Sequence, residues 1–214
     1  MRHDHITAVV LAGGRGSRMG GVDKGLQDFN GRPLVQHAID RLKPQVGRIL
    51  ISANRNLPAY AAFGAPVFPD RSASLGAEDY AGPLAGMLTG LTHCKTSCLL
   101  TVPCDVPFFP LDLADRLVAA MVQSDAEVVM AAVMEDEDGT LRPQPVFCLM
   151  RCHLLESLQI FIKNGGRKPG AWTAQLKTRL VAFDEPGDLD AFANANTLDE
   201  LRRLQSLRPD QPGG

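Results

Sequence analysis

Short apolar stretches alternate along the chain with longer segments in which apolar residues recur every three or four positions. The first stretch, "ITAVVLA" (6–12), is continuous and rich in β-branched residues, which indicates a strand buried on both faces. Residues 33–42 instead have helical periodicity, because Leu34, Ala38 and Leu42 share one face. Pro33 suits the first turn of that helix. The chain therefore begins with a strand followed by an amphipathic helix.

The same two patterns predict the later elements. Further strands are expected at 48–54, 65–70, 97–105, 126–133 and 178–183. Further helices are expected at 82–91, 110–122, 153–163, around Trp172 and at 197–205. Residues 135–150 suggest a hairpin or crossing arm, with Asp138-Gly139 as its turn. Strands that alternate with helices predict an α/β fold of three layers with a mostly parallel central sheet. We expect one domain over 1–205 and a disordered tail over 206–214.

Composition excludes several classes of protein. Of 214 residues, 45% are hydrophobic and 21% charged, which is ordinary for a globular protein. The net charge of −2 argues against a protein that binds nucleic acid through a basic surface. No apolar run approaches the roughly 20 residues that span a bilayer, and the N-terminus does not resemble a signal peptide. Five cysteines in apolar surroundings fit reduced thiols. We therefore expect a cytoplasmic protein without nucleic-acid or membrane partners.

A glycine-rich loop follows the first predicted strand, in "VVLAGGRGSRMGGVDKG" (9–25). Without Cβ atoms, consecutive backbone N–H groups can converge on an anion. Arg18 and Lys24 add positive charge for phosphate oxygens. The stretch therefore predicts a cradle for a triphosphate, although a charged surface loop is the simpler alternative.

Two known phosphate-binding patterns do not match this loop. A P-loop requires Ser or Thr after its lysine, and Gly25 stands there instead. A dinucleotide-binding fingerprint requires a third glycine where this chain has Met19. Neither pattern therefore describes this loop.

Asp105 in "TVPCDVPFFP" is the second strong signal. It follows a predicted apolar strand and lies between Pro103 and Pro107, which stiffen the loop. Ligands of parallel α/β sheets bind beyond the carboxyl ends of the strands, so we expect the loops after residues 12, 54, 70 and 105 to lie at one rim. A carboxylate there suits Mg²⁺, because phosphate oxygens and water molecules can supply the other ligands of the ion. The alternative is that Asp105 caps the following helix.

Six motifs together resemble those of the molybdenum cofactor guanylyltransferases, a family with a Rossmann-like nucleotidyltransferase fold. They occur in family order and are "LAGGRGSRMGGVDK" (11–24), "SAN" (52–54), "PD" (69–70), "GPLAG" (82–86), "PCDVP" (103–107) and "NANTLDEL" (194–201). Related cytidylyl enzymes carry Leu-Ala-Ala-Gly in the first motif, whereas this chain has Leu-Ala-Gly-Gly. The resemblance therefore favours GTP over CTP.

The resemblance implies roles for particular residues. The residues matched to GTP binding are Leu11, Ala12, Gly13, Gly14, Lys24, Asn54 and Asp70. Asp105 matches the magnesium ligand. With Arg18, which the charge of the loop adds, Lys24 and Asp105 are the expected catalytic residues. Asn194 and Asn196 match a region linked to the pterin. Ser52 departs from those members that carry a second Asn, so the resemblance assigns it no role.

The implied reaction joins GTP and molybdenum-molybdopterin into a guanine dinucleotide cofactor and releases pyrophosphate. Molybdoenzymes or their chaperones are candidate partners, and we expect a monomer. A nucleotidyltransferase that uses CTP or a sugar phosphate is one alternative. A nucleotide-binding regulatory protein without catalysis is another, although the presence of both Lys24 and Asp105 argues against it.

Other residues give weaker signals. Two Cys-x₃-Cys pairs could suggest zinc, but no His pair follows them, so core thiols are the better interpretation. Trp172 is expected to pack in the core rather than support the pterin. Arg142, Gln144 and the basic turn at 165–170 are open candidates for contact with the second substrate.

Overall fold

The computed structural model describes residues 3–14, 22–70, 82–134, 140–186, 188, 190–195 and 197–207. The strands in these ranges are β1 (Ile6–Leu11), β2 (Asp28–Phe29), β3 (Arg32–Pro33), β4 (Arg48–Ser52), β5 (Val67–Phe68), β6 (Cys98–Pro103), β7 (Val128–Met134), β8 (Leu141–Arg151) and β9 (Thr178–Phe183). The α-helices are α1 (Leu34–Leu42), α2 (Leu57–Ala61), α3 (Pro83–His93), α4 (Leu113–Val122), α5 (Leu155–Lys163), α6 (Pro169–Thr173) and α7 (Leu198–Leu207). None of these helices has the length and apolarity needed to cross a bilayer.

Seven strands form one sheet in the order β5-β4-β1-β6-β8-β7-β9. Strand β8 runs antiparallel to both neighbours, β6 and β7, and the other pairings are parallel. The predicted mostly parallel sheet is therefore confirmed. Strands β7 and β8 form the predicted hairpin, whose expected turn at Asp138-Gly139 lies outside the described residues.

Helices cover both faces of the sheet, which confirms the three-layer architecture. On β1, Ala8 and Val10 join a core cluster that includes α1 and α4, whereas Val9 joins a second cluster with α3 and α5. All three side chains are fully buried. The continuous apolar sequence of β1 follows from this burial, because a strand between two helical layers has no solvent face.

The sequence patterns did not predict helix α2 or the two-stranded β2–β3 sheet. Helix α2 has only five residues, too few to display helical periodicity. It begins after Asn56, whose left-handed backbone (φ 50°) suits asparagine. The last helix extends to Leu207, and residues 208–214 of the predicted tail lie outside the described residues.

The C-terminal segment packs against the loop after β6. A small apolar cluster joins Leu201 and Leu204 of α7 to Phe29, Leu34 and Phe108. The backbone N–H of Ala195 donates to the carbonyl of Asp105 at 2.8 Å. This contact brings the end of the chain beside the carboxyl ends of the parallel strands.

Candidate functional site

The described residues that directly follow β1, β4, β5 and β6 meet at one rim of the sheet, as predicted. The N–H of Ala12 donates to the carbonyl of Ser52 (2.8 Å), and the N–H of Cys104 donates to the carbonyl of Leu11 (3.2 Å). Leu11 pairs in register with Ser52 on one side and Pro103 on the other. The start of the glycine-rich loop is therefore held between the two strands that carry the other candidate residues.

Lys24 and Asp105 come together at this rim. The Nζ atom of Lys24 lies 3.3 Å from Oδ2 of Asp105, and the two side chains are 21% and 17% exposed. Lys24 opens a short 3₁₀ turn, Lys24–Leu26. Helix α4 begins at Leu113 after Asp112, so Asp105 is not the cap of that helix. The two strongest candidates from the sequence thus form one charged pair.

Gly13, Asn54 and Asp70 form a second group at the rim. The Nδ2 atom of Asn54 donates to Oδ2 of Asp70 (2.6 Å) and to the carbonyl of Gly13 (3.1 Å). The N–H of Asp70 donates back to Oδ1 of Asn54 (2.9 Å), and the Ser52 hydroxyl donates to Oδ1 of Asp70. A Cβ on Gly13 would lie 2.5 Å from Oδ2 of Asp70, so this approach requires glycine. Ser52 therefore orients Asp70, a role that the sequence did not reveal.

The loop after β4 also contacts both described ends of the glycine-rich segment. An Nη2 atom of Arg55 donates to the carbonyl of Gly14 at 3.1 Å. The Nδ2 atom of Asn56 donates to Oδ2 of Asp23 at 3.0 Å. Three consecutive residues, Asn54 to Asn56, thus hold residues 13–14 on one side and residue 23 on the other.

A buried polar group lies behind Lys24. Asp23 is 9% exposed, and its Oδ1 accepts a hydrogen bond of 2.5 Å from the hydroxyl of the fully buried Tyr60. Burial raises the pKa of the Tyr60 phenol, and Asp23 raises it further. Burial likewise raises the pKa of the neighbouring Cys104 thiol well above its usual value, with Asp105 and Asp23 adding to the effect. Tyr60 and Cys104 are therefore neutral groups around two carboxylates.

Three predicted site residues lie elsewhere or outside the described ranges. Asn194 is exposed on the segment whose next residue, Ala195, bonds to Asp105. Arg18 and Asn196 lie outside the described residues. The structure thus brings Asn194 near the rim through the backbone of its neighbour.

Asp105 is our candidate ligand for Mg²⁺. Within the described ranges, no group of three or more His, Cys, Asp or Glu side chains could enclose a metal. Mg²⁺ bound to nucleotide phosphates needs only one or two protein carboxylates. The partly exposed Asp105 carboxylate fits that requirement, whereas the Asp23 carboxylate is held by Tyr60 and Asn56.

Among the weaker candidates, Trp172, the cysteines and Arg167 have identifiable structural contacts, whereas contact of Arg142, Gln144 or the turn at 165–170 with the second substrate stays a prediction. Trp172 is 1% exposed and its Nε1 donates to the Ser157 hydroxyl, so it packs in the core as expected. The five cysteines are free, as predicted. In the turn at 165–170, Arg167 donates to the carbonyls of Ile162 and Gly166.

Sequence reasoning missed the Asp23–Tyr60–Asn56 group. Asp23 stands inside the first motif, but nothing in a linear pattern shows that its side chain is buried. Tyr60 and Asn56 belong to the unpredicted helix α2 and the residue before it. A tyrosine and an asparagine shortly after a strand of the rim were the available signal.

The chain is similar to known proteins in both sequence and structure. The family of MobA-like NTP transferase domains matches residues 8–179. A protein of Acidovorax ebreus named molybdenum cofactor guanylyltransferase is 59% identical over 210 residues, which cover 96% of this chain and 97% of that protein.

Two solved structures share the fold at lower identity. The molybdopterin-guanine dinucleotide biosynthesis protein A of Archaeoglobus fulgidus has a TM-score of 0.74 at 19% identity, covering 96% of this chain and all of that one. A 4-diphosphocytidyl-2C-methyl-D-erythritol synthase of Anaerococcus prevotii has a TM-score of 0.70 at 12% identity, covering 98% and 100%. Since these two names differ in chemistry, structural likeness at this identity supports the fold alone.

Proposed function

Because the chain belongs to the MobA-like NTP transferase family, we propose that it transfers GMP from GTP to the terminal phosphate of molybdenum-molybdopterin. The products are molybdopterin guanine dinucleotide and pyrophosphate. The observation that carries the proposal is the approach of Lys24 to Asp105 at the rim where the glycine-rich loop begins. The name of the relative that is 59% identical supports the choice of guanylyl transfer.

The reaction needs electrostatics more than proton transfer. The nucleophile is a phosphate of the substrate, already ionised at neutral pH, so no strong general base is required. The barrier lies in bringing two anions together and dispersing charge on the departing pyrophosphate. Lys24, together with Arg18, is suited to stabilise that charge. Backbone N–H groups of Gly13 and Gly14 are suited to hold the triphosphate. The N–H of Ala12 already donates to the Ser52 carbonyl, so the contacts of Leu11 and Ala12 with GTP stay a prediction.

Asp105 would hold Mg²⁺ in the complex with GTP. When bound, the ion supplies a Lewis acid that neutralises phosphate charge. Lys24 would then contact phosphate oxygens while it stays close to Asp105. Its flexible stem allows the ammonium to move by a few bond lengths.

The Asn54–Asp70 pair is the candidate for recognition of the nucleoside. A carboxylate can accept hydrogen bonds from N1–H and the 2-amino group of guanine, which adenine does not offer as a pair. Losing such a match costs about 1–3 kcal/mol. A contact of Asp70 with the ribose is the alternative, and the bonds from Ser52 and Asn54 fix its orientation for either role. Asn194 and Asn196 remain our candidates for the pterin side.

The decisive experiment incubates the protein with molybdopterin, molybdate and GTP·Mg²⁺ and detects the dinucleotide by mass spectrometry. Parallel reactions with CTP and ATP, and with a sugar phosphate as acceptor, test the alternative transferases. Omission of Mg²⁺ with added chelator should abolish product. GTP binding without release of pyrophosphate would support the regulatory alternative instead.

A further inference from the structure

Asp23, the residue before Lys24, has a buried carboxylate. Asp23 is 9% exposed, and both of its oxygens accept hydrogen bonds, from Tyr60 and from Asn56. A buried carboxylate is costly unless such donors satisfy it, and bonds to a charged acceptor are stronger than neutral ones. This anchoring therefore fixes the position of the backbone at residue 23.

Tyr60 is placed to donate a hydrogen bond to Asp23. Its ring is fully buried, and its raised pKa keeps the hydroxyl protonated at all ordinary pH values. A Cβ on Gly25 would collide with the Tyr60 hydroxyl, so the segment that follows Lys24 also passes close to it. The phenol thus contacts the chain on both sides of Lys24.

The backbone of the Lys24 turn is tied to the same anchor. The N–H groups of Leu26 and Gln27 donate to the carbonyls of Asp23 (3.2 Å) and Lys24 (3.0 Å). The Gln27 side chain also donates to the Asp23 carbonyl at 3.2 Å. Movement of Asp23 would therefore move the stem of Lys24.

We propose that Tyr60 is a positioning residue that acts through Asp23 to hold Lys24 opposite Asp105. Asn56 donates a hydrogen bond to the second oxygen of the Asp23 carboxylate. The inference rests on the proposed function in that Lys24 is taken as the group that stabilises phosphate charge. A small displacement of such a group can cost up to about a hundredfold in rate.

The primary test compares Tyr60→Phe with Thr101→Val in the complete protein. Thr101→Val also removes one buried hydroxyl donor, which bonds to the Val146 carbonyl at 2.8 Å in the middle of β6. We expect Tyr60→Phe to lower kcat about tenfold or more, with a smaller change in KM for GTP. Thr101→Val should retain kcat even if it lowers stability equally. Wild-type kcat for Tyr60→Phe would overturn the proposal.

A double variant tests the route through Asp23. If Tyr60 acts through this carboxylate, Tyr60→Phe combined with Asp23→Ala, which removes both acceptor oxygens, should be no slower than Asp23→Ala alone. A loss equal to the product of the two single losses would overturn the proposal.

Asn56→Gly is the second variant should Tyr60→Phe not fold, because glycine retains the left-handed backbone of an exposed position. Asn56→Gly should also lower kcat by a larger factor than it changes the KM for GTP. A wild-type kcat for this variant would count against the proposal.

Hydrogen exchange separates this inference from the proposed function. Amides in residues 22–27 should exchange faster in Tyr60→Phe than in the wild type without any nucleotide, and Thr101→Val should leave them unchanged. Unchanged exchange of this segment in Tyr60→Phe would refute the positioning role even if guanylyl transfer is found. Faster exchange in a protein that makes no dinucleotide would support the positioning role and contradict the function.

Discussion

Lys24 and Asp105, 81 positions apart in the chain, place an ammonium nitrogen and a carboxylate oxygen 3.3 Å apart. Lys24 follows the glycine-rich loop after β1, and Asp105 follows β6, the parallel neighbour of β1. Parallel pairing brings the carboxyl ends of both strands to one rim, so the contact is a direct result of the topology.

Removal of either charge should suppress turnover. We expect Lys24→Ala and Asp105→Ala each to lower the rate of pyrophosphate release about tenfold or more, because each removes stabilisation of phosphate charge. The exposed ion pair between Lys177 and Asp125 (2.6 Å) offers the matched control, and Lys177→Ala should be as active as the wild type. Wild-type turnover by both site variants would contradict these roles.

Gly13→Ala should weaken GTP binding. The added methyl would lie 2.5 Å from Asp70 Oδ2 and 2.8 Å from Asn54 Nδ2, so the loop or the side-chain pair must shift. We expect the Kd for GTP, measured by calorimetry, to rise about tenfold or more. Gly170→Ala is the control, because its nearest contact lies at 4.0 Å. Equal affinity for both variants would show that the approach of Gly13 to Asp70 is irrelevant to the nucleotide.

Arg116→Ala should destabilise the fold. Arg116 donates to Asp188 and to the Ala182 carbonyl, both at 2.7 Å, and lies over the Phe183 ring. Its side chain is 19% exposed and that of Asp188 is 8% exposed, so removal of the guanidinium leaves a buried carboxylate. We expect a loss of about 2–4 kcal/mol in the free energy of unfolding by urea.

The exposed pair of Arg202 with Asp199 provides the comparison for that experiment. Arg202→Ala should change the free energy of unfolding by less than about 1 kcal/mol. A similar small change for Arg116→Ala would mean that its buried contacts contribute little.

Cys94 should be the most reactive thiol of the chain. The Cys152 thiol donates to its sulfur, which lowers the pKa of Cys94 to about 6. Burial raises the pKa of Cys98, Cys104 and Cys148. Because a lowered pKa populates the thiolate above pH 6, alkylation of Cys94 by iodoacetamide should rise with pH through about pH 6 and then level off.

Cys152→Ala removes the donor and is the control for that reaction. Its Cys94 should react with a midpoint shifted towards the usual thiol pKa of about 8.5. Peptide mapping by mass spectrometry follows each cysteine separately. A midpoint near that usual value in the wild type would contradict the lowered pKa of Cys94, and an unchanged low midpoint in Cys152→Ala would rule out the hydrogen bond as its cause.

Local patterns predicted the elements that carry their own signal. The β-branched stretch of β1 and the four-residue spacing of α1 needed no tertiary information, and the structure contains both. The rule that parallel strands end at one rim then placed Lys24, Asn54, Asp70 and Asp105 together.

The remainder depended on contacts between distant segments. The insertion of β8 between β6 and β7 is a choice of pairing partner that no local spacing encodes. The burial of Asp23 under Tyr60 joins residues 37 positions apart. Ser52 is a small polar residue at a strand end, and only the position of Asp70 gives its hydroxyl a role.

The hydrogen bond from Ala195 to Asp105 has a consequence for biosynthesis. The loop that carries Asp105 is supported by a segment far downstream of it in the sequence, and α7 packs on Phe108 of that loop. Domains begin to fold while the ribosome is still translating them. In this protein the parallel strands can pair early, but Asp105 gains its last backbone partner only after Ala195 has emerged, so nascent chains that stop short of this point should lack a finished rim.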